Sequence, residues 1–135
     1  MSPIQAAFEM PYEDAVVEIQ RLDKKWADEF DSNADATLTA CLAPNFSRVY
    51  DFSHIYLQSM RLRAQSNAIR AAVAVYLSRV RTGRLPETLP ESTPGDPFSG
   101  KPFAYEKAHD HFILRSGARE DPKRPGANQY EFGIK

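Results

Sequence analysis

From Asn45 to Arg81 the chain contains neither proline nor glycine, so nothing in that stretch interrupts a helix. Ile55, Leu62, Ile69 and Tyr76 recur every seven residues there, with Phe52, Val73 and Val80 beside them. This spacing predicts one long helix. Its strongest part is "NAIRAAVAVYLSRVRTG", alanine-rich, basic towards its end and closed by Gly83, a residue suited to the position just past a helix terminus. At 1.5 Å per residue the whole stretch would extend about 55 Å, against about 30 Å for a small domain. Such a helix must protrude, bend or pair with something. The heptads are not clean for long enough to predict a free coiled coil.

The flanking segments are of two kinds. Upstream, "MSPIQAAFEMP" reads as a loose lead-in, and "PYEDAVVEIQRLDKKWADEF" places Ala15, Ile19, Leu22, Trp26 and Phe30 at helical spacing. A short helix, "DATLTACLA", is expected next, capped by Asp35 and stopped by Pro44. Downstream, "RLPETLPESTPGDPFSGKP" is a proline-punctuated loop, and "FAYEK", "HFILRS" and "QYEFGI" alternate as short strands. Three short strands need a helix over their apolar face. The expected fold is therefore α+β: a long α-helix packed on a small three-stranded antiparallel β-sheet, with an additional N-terminal helical segment. Residues 1–44 form the acidic helical segment and 45–135 the long helix plus sheet, within one compact domain overall.

Charge sorts along the chain while nearly cancelling in total, at −1. Residues 1–44 carry −6, residues 45–84 carry +6 and residues 85–135 carry −1. An acidic segment beside a basic one explains this. A nucleic-acid footprint would need a single basic stripe; Arg61 and Arg79 instead lie roughly opposite Arg63, Arg70 and Arg81 on a helix, so no nucleic-acid partner is expected. The single cysteine, Cys41, excludes an internal disulfide and a multi-cysteine zinc site. No apolar run approaches the roughly 18 residues of a membrane span, and the start lacks a signal peptide's pattern. The chain reads as soluble as given, in an unknown compartment. Equally, it reads as an excised envelope or periplasmic domain of a bacterial protein, touching a membrane only through an upstream anchor.

"GDPFSGKP", Gly95 to Pro102, is one residue short of a phosphate-binding loop. Such a loop needs consecutive free N–H groups between a strand and a helix. Here Pro90 and Pro94 prevent a preceding buried strand, Pro97 removes a donor, and Pro102 stands where a magnesium-binding hydroxyl would. Asp96-Pro97-Phe98-Ser99 has instead the residue types of a tight turn, Asp bonding its own backbone and Pro presetting the bend. Phe98 and Phe103 read as its anchors to the core.

This order of elements resembles the soluble region of type II secretion major pseudopilins, and uncharacterised bacterial envelope proteins with a similar module. Gly83, Leu85, Pro86 and Leu89 stand for the family's Gly-x-Tyr-Pro segment and following Leu. Asp96, Pro97, Phe98, Gly100, Pro102, Phe103 and Tyr105 stand for Asp-Pro-Trp-Gly-x-Pro-Tyr-x-Tyr. Phe112, Leu114, Ser116 and Gly117 roughly stand for the strand closing on Ser-x-Gly. The likeness covers about residues 68–118, and residues 1–44 have no counterpart in it. It implies a structural turn built on Gly83, Pro86, Asp96, Pro97 and Gly100. It also points to a calcium loop after Ser-x-Gly. In this chain that loop is "GAREDPKRPGAN", which offers Glu120, Asp121 and Asn128 but no Asp-Gly pair, while calcium takes six to eight oxygens. No cofactor is expected other than calcium at that loop.

Other constellations are weaker. His109-Asp110-His111 suggests a metal pair but lacks a third ligand and suits a hairpin turn. Cys41 with His54 could be drawn as nucleophile and base, although cysteine in "TACLAP" behaves as a small apolar residue. Asp51 with Arg48 reads as a surface pair. The expected function is a non-enzymatic, pseudopilin-like structural or interaction module. It would bind a protein partner or itself through the long helix around Phe46 to Met60. The alternative is a small nucleotide-binding protein or enzyme using the "GDPFSGK" loop or Cys41.

Overall fold

The structure is a computed structural model that describes residues 1–33, 51–120 and 122–134. Cys41, Phe46, Arg48, Tyr50, Asp121 and the expected short helix with its Asp35 cap lie outside the described residues. The chain divides into two compact units, Met1–Ser59 and Met60–Lys135. The division falls inside the long helix.

In the first unit, α1 (Pro3–Phe8) replaces the loose lead-in expected from sequence. Six residues hold as a helix because both ends of a capping box close. The Ser2 hydroxyl accepts the Gln5 N–H at 3.3 Å, and the Gln5 side chain accepts the Ser2 N–H at 3.0 Å. α2 (Tyr12–Asn33) starts with Glu13 and Asp14 in its first turn, where the helix dipole favours carboxylates. Ala7, Ala15, Ile19 and Leu22 are buried, the inward face that the helical spacing predicts.

The long helix, α3 (Phe52–Thr82), covers 31 residues. At its N-terminus the Asp51 carboxylate accepts the His54 N–H at 2.9 Å. Asp23 of α2 accepts the N–H groups of Phe52 (3.2 Å) and Ser53 (3.0 Å) and the Ser53 hydroxyl. Two carboxylates thus satisfy three of the four N–H groups that a helix start leaves unpaired. Tyr56 is buried, its ring 5.1 Å from that of Phe8 and 6.1 Å from that of Tyr12; Trp26 meets Phe52 edge-on at 5.0 Å. Met60 is buried as well. Of the stretch expected as a contact surface, the described Phe52, Tyr56 and Met60 are packed, whereas Ile55 is exposed.

The second unit carries β1 (Ala104–Lys107), β2 (His111–Arg115) and β3 (Gln129–Gly133), antiparallel in the order β1-β2-β3. Tyr105 faces Leu114 and Leu114 faces Tyr130, while Phe112 lies between Lys107 and Phe132. The α+β fold read from the sequence is therefore the fold of the protein. Ala68, Ala71, Ala72 and Val75 of α3 meet Phe103, Phe112 and Leu114 of the sheet side in one core, with Leu85 and Leu89 packed at its margin. The helix contributes mostly methyl groups and the sheet contributes the rings. Small residues let the helix lie close, and the aromatic side chains fill the space between. The Tyr76 hydroxyl donates to the Gly133 carbonyl at 2.6 Å, and Tyr105 to that of Pro86 at 3.0 Å. Gly83, at φ 76°, ends α3 by donating its N–H to the Arg79 carbonyl at 2.7 Å, a left-handed conformation that glycine adopts without strain.

Candidate functional site

The turn from Asp96 to Lys101 is organised by one carboxylate. Asp96 is only 1% exposed. It accepts the N–H groups of Phe98 (3.3 Å) and Ser99 (3.2 Å), the Ser99 hydroxyl (2.7 Å), the Ser116 hydroxyl (2.7 Å) and the Gly117 N–H (2.7 Å). Burial pushes this carboxyl's pKa up, but the donors from Ser116, Gly117, Ser99 and Phe98 outweigh it and hold the group below its ordinary range. The Gly100 N–H is bound to the Asp96 carbonyl at 2.9 Å and the Lys101 N–H to the Ser99 hydroxyl at 3.3 Å. Every N–H from Phe98 to Lys101 is therefore committed within the chain. None is left to cradle a phosphate, and the stretch is a turn that ties the loop to the end of β2. Gly117 is needed for the close approach: a Cβ there would lie 2.9 Å from the Ser99 Cβ and 3.2 Å from an Asp96 oxygen.

Of the three expected calcium donors, Glu120 and Asn128 lie within the described residues. Glu120 accepts the Gly126 N–H at 3.4 Å, and the Asn128 side-chain nitrogen faces the Ala118 carbonyl at 3.4 Å. The buried Asn128 Oδ1 has no hydrogen-bond partner, a single orphan acceptor where calcium needs six or more oxygens. Among the described residues no group of three or more His, Cys, Asp or Glu side chains could hold a metal ion. At the β1–β2 turn, His111 Nδ1 lies 2.7 Å from Asp110. That bond, with the further pull of Glu131, raises the His111 pKa, and it lowers that of Asp110. The pair is a local turn contact.

What remains is the outer face of α3, where the large aliphatic residues point away from the sheet and the small ones towards it. Leu62 (67% exposed), Ile69 (50%), Val73 (52%), Leu77 (52%) and Val80 (81%) face solvent while the alanines face the sheet. At about 100° per residue, Leu62, Ile69, Val73 and Val80 fall within about 40° of arc and extend about 27 Å along the axis. The seven-residue recurrence seen in the sequence is this outward seam, and only Tyr76 of that series turns to the sheet, its ring 5.4 Å from Phe112. Leu62, Gln65, Ser66, Ile69 and Arg70 line a shallow open depression on the seam. Arg63, Arg70 and Arg81 follow one flank and Arg61 and Arg79 the other. α3 itself contains no Asp or Glu.

No described helix is long and apolar enough to cross a membrane. Comparison with protein-family models, with curated proteins and with solved structures finds no match for this chain.

Proposed function

We propose that the chain is a non-enzymatic, pseudopilin-like interaction module that binds a protein partner through the outer face of α3. The observation that carries this reading is the exposure of Leu62, Ile69, Val73 and Val80 in one seam on a helix whose opposite side is fully committed to the core. A contiguous apolar stripe rimmed by polar groups is characteristic of an interaction surface. The residue types of the Asp96 turn and their resemblance to the pseudopilin pattern support the family comparison. The helix C-terminal to Met60, rather than Phe46 to Met60, is the contact surface in this reading. The nucleotide alternative loses its donors to Asp96, and Cys41 lies outside the described residues.

The test uses a helical peptide of about three heptads, with leucine and isoleucine at the seam positions and glutamine on both flanks. Its binding to the full chain is followed by fluorescence anisotropy. Binding that falls at least about tenfold in Ile69→Asp supports the reading, a loss of about 1.4 kcal/mol. Equal binding by the variant, or no binding by a wild-type chain that also stays monomeric on sedimentation, would contradict it.

A further inference from the structure

Resting on the reading of the α3 seam as a protein-binding face, we infer that its occupant is an acidic amphipathic helix, with a narrow aliphatic seam of its own and carboxylates on either side.

Shape argues for a helix. Leu62, Gln65, Ser66 and Ile69 stand at positions i, i+3, i+4 and i+7, and together they line the depression on the face. Four residues in that arrangement form the hole that receives one side chain of a facing helix in knobs-into-holes packing. Ser66 is the smallest of the lining residues, and Arg70 lines the depression beside them. The seam is bounded by Gln65 about 60° to one side of its centre line, and by Leu77 about 60° and Arg70 about 80° to the other. A helix that lies in a lipid interface needs a broad apolar face, whereas a narrow stripe is the mark of a helix–helix seam.

Charge decides the flanks. Arg63, Arg70 and Arg81 are exposed along one side and none is ion-paired to a described carboxylate. Flanking charges choose the partner in such pairings, and opposite signs are preferred. The same face of a second copy would set arginine against arginine. The acidic helix of a second copy offers no seam either: α2 has buried Ala15, Ile19 and Leu22, and Val17 is its one exposed large apolar residue among the described side chains. Among the described residues a second copy thus offers no fitting helix, and the occupant is a different protein.

The experiment compares two peptides with the seam used above, one flanked by glutamates and one by lysines, each titrated against the full chain at low and high salt. The glutamate peptide is expected to bind at least about tenfold more tightly, with the preference shrinking at high salt. Arg63→Glu/Arg70→Glu should reverse the preference. Ser66→Leu, which fills the depression, should weaken both peptides. Circular dichroism of each variant checks the fold, which these exposed positions should leave intact. Equal affinity for the two charged peptides would overturn the inference while leaving the protein-binding reading in place, provided the glutamine-flanked peptide still binds. Three further outcomes would also overturn it. These are binding to phosphatidylserine vesicles with no peptide preference, a dimer abolished by Ile69→Asp, and no binding by any peptide, the last removing the underlying reading as well.

Discussion

Asp96 keeps its negative charge inside the fold by hydrogen bonds from two hydroxyls and three N–H groups. Asp96→Ala, which strands those donors, should cost about 3 kcal/mol of unfolding free energy, and Asp96→Asn about 1–2 kcal/mol, measured by urea titration at neutral pH. Because its folded pKa is lowered, the stabilisation is complete above the ordinary aspartate value near 3.9 and fades as pH falls through the lower folded value. The wild type should therefore lose more stability than Asp96→Asn between pH 5 and about pH 3, and parallel acid profiles for the two proteins would refute that assignment. Two glycines separate clash from strain. Gly117→Ala should cost about 1–3 kcal/mol because its Cβ meets Ser99 and Asp96. Gly83→Ala, at φ 76° with open space around it, should cost only about 1 kcal/mol. Equal losses on thermal unfolding would contradict the distinction. Asp96 as a turn residue was legible in the sequence, since Asp-Pro before Phe-Ser has one strongly favoured local geometry. Its bonds to Ser116 and Gly117, twenty residues away, followed no local rule and came from the resemblance only as matched positions. Nothing local marked Asp23 as a cap for a helix that begins at Phe52.

At the scale of elements, α3 has two apolar faces, and the one with the smaller residues is the core. Overpacking it should be costly: Ala68→Leu or Ala71→Leu, each fully buried beneath the sheet, should lose about 1–3 kcal/mol. Leu62→Ala on the outer face should change stability by no more than about 0.5 kcal/mol, a contrast that chemical denaturation of the three variants checks directly. The strands, the helix end at Gly83 and the division into α and β parts were legible because alternation, glycine and proline act locally. The facing of α3 was not. A repeat of large residues every seven positions marks a stripe without saying what lies against it. The alanines became the inner face only because the rings of Phe103 and Phe112 already fill the space above the sheet. The start of the chain was misread for a related reason, since Ser2 and Gln5 form a capping box three residues apart in a segment with too little hydrophobic period to signal a helix.

For the molecule as a whole, the sequence sorts its charge into an acidic start and a basic middle, and α3 carries five arginines of that basic part. Its arginines border an aliphatic seam that the fold leaves uncovered among the described residues. The loop after Gly117 adds no second site in this account. Its transition temperature should be the same in excess calcium and in chelator, whereas calcium binding only the folded state at 100 times its dissociation constant would add about 2.7 kcal/mol. Such a rise would restore Glu120, Asp121 and Asn128 as ligands. The central claim is that the large aliphatic residues of α3 face outward and the alanines inward. Its most direct test is the unfolding free energy of Ile69→Gln/Val73→Gln in the full chain. A value within about 0.5 kcal/mol of wild type is expected, as for exposed positions. A loss of about 3 kcal/mol or more would place those side chains in the core and contradict it.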